Sequence, residues 1–275
     1  MSAIRAVTFS EEIASLPAHT HKNVHQIVFV LSGVLDISIG DCRYRTDSPT
    51  AIFISHLEPH AISVQSQSYR RFCIDIHPEE IERDIKSSRL LSILSNRPES
   101  FQHVLDIKSL LPELLPFLRE LNTLFYSEDE EFAENTAALL KSILIILFRH
   151  APEAFPFEEN SISATVEQIK RRIEQNLSKD ESLDDLSARF HISRYYLAHR
   201  YKQITGYSIK NYRMLCRIAE ARELLVSTSL SITEICERIG FSGLSNFSRY
   251  FKKEIGMSPM EYRSYHRHTE KENTI

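Results

Sequence analysis

The chain has 275 residues, of which 42% are hydrophobic and 25% are charged, as in an ordinary soluble globular protein with room for two cores. The most apolar run, Ile143–Phe148, lies between Lys141 and Arg149 and is far shorter than the roughly 18 residues of a membrane span, which excludes an integral membrane protein. The N-terminus has no apolar signal region, so we expect a cytoplasmic protein.

The charge is distributed unevenly along the chain. The formal net charge is −4, but residues 161–275 hold 19 basic and 14 acidic side chains, a net of +5, and residues 1–160 carry a net of −9. A basic C-terminal module can face phosphate, although an excess of this size is modest.

The four cysteines are scattered and form no C-x-x-C pair. This spacing argues against a zinc site or a disulfide framework, and we expect no cofactor and no bound metal. The expected role is that of small buried hydrophobic residues, at Cys42, Cys73, Cys216 and Cys236.

From Gln26 to Val64 the sequence reads as short β-rich runs separated by turn residues such as Gly33, Gly40 and Pro49, and Tyr69–Ile76 adds one more run before Pro78. Closely spaced strands of this kind predict a small barrel or sandwich. The predicted strands are Gln26–Leu31, Leu35–Ile39, Thr50–Ile54, Ala61–Val64 and Tyr69–Ile76.

After Pro78 the apolar residues recur with a period of about 3.6, which predicts amphipathic helices that include Leu114–Phe125 and Glu131–Phe148. Residues 151–162 combine two prolines with acidic and polar residues, so they are predicted to be a linker. The expected organisation is a sensing domain at 1–78, a helical dimerisation segment at 79–150, this linker and a DNA-binding domain at 163–275.

Residues 183–213 and 232–263 are two copies of one unit. The offset between the copies is 49 at first and then 50, and it pairs Leu197 with Phe247 and Tyr201 with Phe251. Each copy begins with a capping-box pattern, Ser182 with Asp185 and Ser231 with Glu234, in which serine and acid bond each other's backbone. His191 or Gly240 then supplies the left-handed residue of a turn, and Ile192 or Phe241 plugs the angle between two helices. The units predicted are helix-turn-helix motifs at 183–204 and 232–254.

The second helix of each unit has a thin apolar stripe opposite a polar and basic face, as a recognition helix in the major groove requires. Any one of these residues could be an ordinary solvent-exposed polar residue of a helical domain. Solvent exposure alone, however, does not explain why the helix-turn-helix spacing occurs twice. The candidates for base contacts are Arg194, Tyr195, His199, Ser245, Asn246 and Arg249. Those for phosphate contacts are Arg200, Lys202, Lys252 and Lys253.

The segment Ile235–Arg263, ICERIGFSGLSNFSRYFKKEIGMSPMEYR, resembles the AraC/XylS family of transcription regulators. The resemblance covers about 110 residues and implies an opening helix near Ser163–Leu177 and a long helix near Lys210–Val226 that joins the two units. It assigns base reading to Tyr195, His199, Ser245, Asn246 and Arg249. The aromatic first recognition helix, with Tyr195, Tyr196 and Tyr201, departs from the family pattern and leaves its sequence preference open.

The histidines near the N-terminus resemble those of the cupin barrel that many members of the family carry. In metal-binding cupins a His-x-His pair, an acid and a distant histidine converge on one ion, and here the neutral Gln26 or His25 replaces the acid. The alternatives are a barrel mouth that binds an effector or nothing, a loosely held metal, or a catalytic metal. The residues concerned are His19, His21, His25 and His60.

The resulting fold class is α+β, with an N-terminal cupin-like β-barrel and helical dimerisation segment followed by an all-α domain with two helix-turn-helix motifs. The predicted function is a sequence-specific regulator, more often an activator in this family, that binds double-stranded DNA as a homodimer, contacts RNA polymerase and responds to a small-molecule effector. One alternative is a metal-dependent cupin enzyme with an appended DNA-binding module. Another is a regulator without any small-molecule ligand, controlled by abundance or by a protein partner.

Overall fold

The computed structural model describes residues 2–11, 16–19, 21, 24–47, 49–126, 131–156 and 161–272. The chain forms two compact units, Met1–Glu158 and Glu159–Ile275. Strands lie in the first unit and the second is helical, which confirms the α+β fold class. Within the described part of the chain, no helix is both long and apolar enough to span a membrane.

The N-terminal unit is built on two antiparallel sheets. One has the strand order β1-β8-β3-β6-β9 and the other the order β2-β7-β4-β5. The strands are β1 (Ile4–Ser10), β2 (Leu16–His19), β3 (His25–Ser32), β4 (Leu35–Ile39), β5 (Cys42–Thr46), β6 (Thr50–Ile54), β7 (His60–Val64), β8 (Arg70–Ile76) and β9 (Val104–Asp106).

Strand β3 is apolar along most of its length because both of its faces are buried. Val28 and Val30 join an apolar cluster made by residues of both sheets, so this cluster fills the barrel. Ile27 and Phe29 point the other way, into a larger cluster that the sheet shares with helices. Both cores of the N-terminal unit therefore meet at one strand.

The helices of this unit are α1 (Pro78–Asp84), α2 (Ser88–Ser95), α3 (Leu111–Phe125) and α4 (Phe132–His150). They match the amphipathic segments expected after Pro78, with one difference. Strand β9 lies inside the predicted helical segment and pairs with β6 at the edge of the larger sheet. With only three residues it is too short to show a period of two.

Residues 151–156 of the predicted linker are packed against the N-terminal unit. Pro152–Ala154 form a 3-10 helix, and Phe155 is buried with its ring edge-on to Phe148 at 5.2 Å between centroids. The side-chain amide of Asn96 donates to the carbonyl of Pro156 at 2.9 Å. The rest of the proposed linker before residue 161 lies outside the described residues.

A buried group of charges joins the β6–β7 connection to the segment between α2 and β9. The Glu58 carboxylate accepts from Arg97 Nε at 2.7 Å and from the backbone N–H of Ser55 at 2.6 Å, and His103 Nε2 lies 3.0 Å from it. Burial alone would raise the pKa of Glu58, but the charge of Arg97 and the hydrogen bond to His103 outweigh it and lower the pKa from 4.5 to about 2. Tyr44 extends the group through its hydroxyl, 2.9 Å from His103 Nδ1.

We expect Glu58→Gln to destabilise the N-terminal unit by about 3–5 kcal/mol at pH 7, because the substitution leaves Arg97 buried without its counter-charge. The native pKa of Glu58 lies below the unfolded value, so the carboxylate's contribution is complete above about pH 4.5 and is lost as the pH falls towards about 2. Urea unfolding of the full chain at pH 7 and at pH 3 measures both effects. The exposed Glu113→Gln serves as control, and an unaltered pH dependence in Glu58→Gln would contradict the assignment.

The C-terminal unit consists of helices in the part that the structure describes. They are α5 (Ser161–Gln175), α6 (Leu183–Arg189), α7 (Arg194–Thr205), α8 (Ile209–Ser227), α9 (Ile232–Arg238), α10 (Leu244–Ile255) and α11 (Pro259–Glu272). The opening helix and the long connecting helix implied by the family resemblance correspond to α5 and α8. Both units of the sequence repeat pack on α8.

Candidate DNA-binding surface

Both units of the repeat begin with the predicted capping box. Ser182 Oγ accepts from the N–H of Asp185 at 3.1 Å, and the Asp185 carboxylate accepts from the N–H of Ser182 at 2.9 Å. Ser231 and Glu234 make the same pair of bonds at 3.2 and 2.7 Å. The hydrogen bonds from each serine lower the pKa of its acidic partner, so both carboxylates are ionised at neutral pH. The starts of α6 and α9 are thereby fixed.

The turns between the paired helices use the left-handed residues that the sequence predicts. His191 has a φ of 52° and Gly240 a φ of 80°. A Cβ at Gly240 would also lie 2.7 Å from the Cα of Ser178, so the second turn has no space for a side chain. Phe241 is buried with its ring 5.2 Å from that of Phe247, whereas Ile192 in the first unit is only partly buried.

Helices α7 and α10 present one narrow buried stripe and one broad exposed face. Leu197 and Tyr201 in α7, and Phe247 and Phe251 in α10, are fully buried. Arg200 is half-buried, and every other predicted contact residue is exposed. These exposed residues are Arg194, Tyr195, His199, Lys202, Ser245, Asn246, Arg249, Lys252 and Lys253.

The exposed face of α7 is aromatic as well as basic. The Tyr195 side chain is 83% exposed, and its ring stacks on that of His199 with 6.3 Å between centroids and 15° between planes. Arg194 forms an exposed ion pair with Asp184 at 3.2 Å, and Arg200 donates to Gln203 Oε1 at 2.7 Å. This face therefore offers a stacked aromatic pair flanked by two guanidinium groups.

The exposed face of α10 places two base-reading side chain types next to each other. Arg249 Nη2 donates to Asn246 Oδ1 at 3.2 Å, one helical turn away. This bond restricts the Arg249 rotamers and uses the amide oxygen of Asn246, not its amide nitrogen. The Lys253 ammonium lies 5.8 Å from the centroid of the Tyr250 ring and 3.7 Å from Glu254.

The two recognition helices differ at their first residue. Ser193 is the N-cap of α7 and accepts from the N–H of Tyr196. The second unit has one extra residue in its turn, so the equivalent place at the start of α10 is Gly243, which has no side chain for a cap. The first backbone N–H groups of α10 are not bonded by a side-chain cap, and donors of this kind suit phosphate oxygens.

Two arginines that sequence reasoning left without a role, the buried Arg213 and the half-buried Arg263, hold the helix-turn-helix units in place. Arg213 donates to the carbonyl of Glu181 at 2.8 Å, and Arg263 donates to the carbonyl of Leu230 at 2.6 Å. Each acceptor is the residue just before a capping serine. The signal was present in the sequence, because the two arginines are themselves a matched pair of the 50-residue repeat.

The histidines predicted to form an effector pocket or metal site lie at one end of the barrel as two ring pairs. His21 and His60 are 5.3 Å apart between ring centroids, and His25 and His56 are 5.0 Å apart. The backbone of His19 pairs with that of His60, but the His19 side chain lies outside the described residues. Among described residues, no three His, Cys, Asp or Glu side chains are arranged to hold a metal ion.

Gln26, the proposed substitute for a cupin carboxylate, donates to Asp75 Oδ1 at 2.8 Å. The four cysteines are free thiols, and Cys216 and Cys236 are buried as expected. The expectation is wrong for Cys42, which is exposed because it occupies the start of the edge strand β5.

Two family models match this chain. One, described as an AraC-like ligand-binding domain, matches residues 14–144, and the other, a helix-turn-helix domain, matches residues 186–265. The chain is 26% identical over 269 residues to the HTH-type transcriptional activator RhaS of Enterobacter sp. (strain 638), covering 91% of this chain and 88% of that protein. It is 33% identical over 125 residues to the Msm operon regulatory protein of Streptococcus mutans, covering 45% of each.

A solved structure shares the fold. ToxT from Vibrio cholerae superposes with a TM-score of 0.64 at 14% sequence identity, over 95% of this chain and 98% of that one. The matching relatives are regulators, and the chain is a DNA-binding transcription regulator rather than an enzyme. It belongs to the AraC/XylS family, with an AraC-like ligand-binding domain followed by a double helix-turn-helix domain.

Proposed function

We propose that this regulator reads a non-palindromic site with two recognition helices in tandem and activates transcription when its N-terminal unit binds a small effector. The observation that carries the proposal is the pair of exposed faces on α7 and α10, each opposite a fully buried stripe. Helices on one side of the duplex enter successive major grooves roughly 34 Å apart. Each monomer then contacts two short base segments.

By their chemistry, the contact residues divide into those that contact bases and those that contact phosphates. Arg249 can form a bidentate pair with guanine, and Asn246 with adenine, whereas Ser245, Arg194, Tyr195 and His199 complete the reading faces. The longer side chains further along the helices supply charge without sequence information. They are Arg200, Lys202, Lys252 and Lys253.

Assembly and localisation follow from how such a regulator works. We propose a homodimer whose N-terminal units pair through α3 and α4. We further propose that the DNA-bound regulator contacts RNA polymerase from an adjacent site. Ile145 supports this surface, because it is a large apolar side chain on α4 that is 37% exposed. A chromosome-binding activator works in the cytoplasm.

Arg249→Ala is expected to cost about 1–3 kcal/mol of specific binding and to relax base preference in one segment only. His199→Ala should affect the other segment less strongly, because a neutral imidazole offers a single hydrogen bond. Lys252→Ala should weaken all sequences alike and lower the salt slope by about one. Binding-site selection on the wild type and the three variants distinguishes these outcomes, and identical uniform losses for Arg249→Ala and Lys252→Ala would show that the roles are misassigned.

Residues 161–275 should fold alone and prefer the protein's own promoter to random DNA. The helix caps, the buried stripes of the recognition helices and the bonds of Arg213 and Arg263 all lie within this unit. Circular dichroism and competition binding test the fragment. Arg263→Met within the fragment is expected to weaken binding although Arg263 is not a candidate DNA contact, because the substitution removes its bonds to the carbonyls of Leu225 and Leu230. A helical fragment without sequence preference would contradict the proposal.

The dimer is tested with Ile145→Glu, which places a charge on the exposed face of α4 without entering the core. We expect sedimentation of the full chain at micromolar concentration to change from dimer to monomer. Arg43→Glu, on the exposed face of the barrel, is the control and should leave the dimer intact. A wild-type protein that sediments as a monomer, with and without DNA, would rule out this arrangement.

A further inference from the structure

Three strand connections lie at one end of the barrel. The β3–β4, β5–β6 and β7–β8 connections fall there because the strands alternate in direction. We name this the Gly33 end, and its described residues are Gly33, Val34, Thr46, Asp47, Pro49, Thr50 and residues 65–69. The histidine pairs described above lie at the opposite end, where β3 and β7 begin.

The Gly33 end is braced by contacts between two of its connections. The N–H of Val34 donates to Ser66 Oγ at 2.9 Å, and the N–H of Gln65 donates to the carbonyl of Val34 at 2.8 Å. Gly33 has a φ of 110°, and a Cβ there would lie 2.6 Å from the carbonyl oxygen of Ser68. This packing fixes the position of Tyr69, which follows directly.

Within the described part of the chain, four polar side-chain atoms at this end are buried without a hydrogen-bond partner. Three of them belong to residues that are 3%, 4% and 2% exposed, namely Thr46, Thr50 and Tyr69. The fourth is Nε of Arg71. Buried donors and acceptors are nearly always paired, because an unpaired one loses its bonds to water and gains none in return. A cluster of four therefore calls for a ligand or for bound water.

Strand pairing places the four groups at the same end of the barrel core. Val30 pairs with Thr50 on one side and with Arg71 on the other, which places Thr50 and Arg71 roughly 10 Å apart, two strand spacings. On the facing sheet Thr46 pairs with Leu35. The Arg71 guanidinium lies 5.8 Å from the centroid of the Tyr69 ring. Alternation along each strand directs these side chains towards the apolar cluster inside the barrel.

The chemistry of the cluster specifies a ligand class. A guanidinium is the side chain best matched to a carboxylate, and among the described residues Arg71 has no ion pair. Hydroxyl groups donate and accept, so Thr46 and Thr50 suit ligand hydroxyls. Burial raises the pKa of Tyr69, so its phenol stays protonated and can donate.

We propose that the Gly33 end of the barrel binds a small hydroxycarboxylic acid, with the carboxylate at Arg71 and Tyr69 and ligand hydroxyls at Thr46 and Thr50. This inference rests on the proposed function, since the acid is the effector of the regulator. It moves the effector site away from His19, His21, His25 and His60, whose described rings pack on one another at the other end.

The test is calorimetric titration of the full chain with three probes: sodium gluconate, sodium glucuronate and sodium malate. At least one acid should bind with a dissociation constant below about 1 mM. Glucose, which lacks the carboxylate, and hexanoate, which lacks hydroxyls, should bind at least tenfold more weakly. Equal binding of glucose or hexanoate, or no binding of any of the acids, overturns the proposal.

The variants Arg71→Gln, Tyr69→Phe and Thr50→Val should each weaken binding of that acid by about tenfold or more, the effect of one lost hydrogen bond to a charged or buried group. The exposed Arg43→Gln on β5 is the matched control and should bind as the wild type does. Unchanged affinity in the three barrel variants places the acid elsewhere and overturns the assignment.

Thermal unfolding without ligand gives a second readout. Tyr69→Phe and Thr50→Val should melt at or above the wild-type midpoint, because each replaces an unpaired polar group by an apolar one of similar shape. Clearly lower midpoints would mean that bound water satisfies these groups, against the proposal. Promoter binding by the same samples distinguishes failure of the acid site from failure of the proposed function. If the wild type binds DNA but no acid, only the acid site is overturned. If the wild type does not bind DNA, the proposed function is overturned.

Discussion

An arginine guanidinium bonds to the backbone just before each helix-turn-helix unit, and Arg213 is buried whereas Arg263 is half-buried. Arg213 on α8 and Arg263 on α11 donate to the carbonyls of Glu181 and Leu230, which immediately precede the capping serines of α6 and α9. The recognition helices are only 12 residues long and each packs through a narrow stripe, so their orientation depends on where the preceding helix begins. Since a charged donor to a carbonyl is among the stronger hydrogen bonds, these two bonds fix where α6 and α9 begin, and with them the helices that carry the candidate DNA contacts.

The N-terminal unit treats its buried polar groups in two opposite ways. Around Glu58 every strong charge faces a partner, and the group ties the β6–β7 connection to the chain between α2 and β9. At the Gly33 end the hydroxyls of Thr46, Thr50 and Tyr69 are buried and have no hydrogen-bond partner among the described residues. The first arrangement stabilises the barrel at any ligand concentration. The second keeps binding capacity at the expense of stability, as binding sites commonly do.

Local patterns predicted the elements that they control. Capping boxes and the left-handed turn positions located α6 and α9 because both signals lie within a few residues. Strand β5 was missed because its outward arginines hide the apolar alternation, and β9 because it is only three residues long. The partners of Glu58 were unpredictable from the sequence, since Arg97 lies 39 residues away and only the fold brings them together.

The candidate DNA contacts were predicted from the repeat. Positions that are apolar in both copies form the buried stripe of each recognition helix, so the polar positions between them are expected to be exposed. The rotamers of these side chains were not predicted, and the bond between Arg249 and Asn246 appears only in the structure. The histidine pattern near the N-terminus left several roles open, and the structure adds the ring pairs His21 with His60 and His25 with His56. The pairing with His56 could not be read from the sequence, because only the fold brings residues 25 and 56 together.

Helix α8 connects the two helix-turn-helix units as one continuous helix of 19 residues, about 28 Å long, with neither glycine nor proline to bend it. A connecting helix of fixed length and twist fixes the spacing and the rotation between the two DNA segments that the recognition helices can contact together. Adding one base pair between the two segments would advance the second by about 3.4 Å and rotate it by about 35° around the duplex axis. Because α8 has no glycine or proline hinge to follow that rotation, the proposed tandem readout makes the spacer of a promoter a determinant of binding alongside its bases.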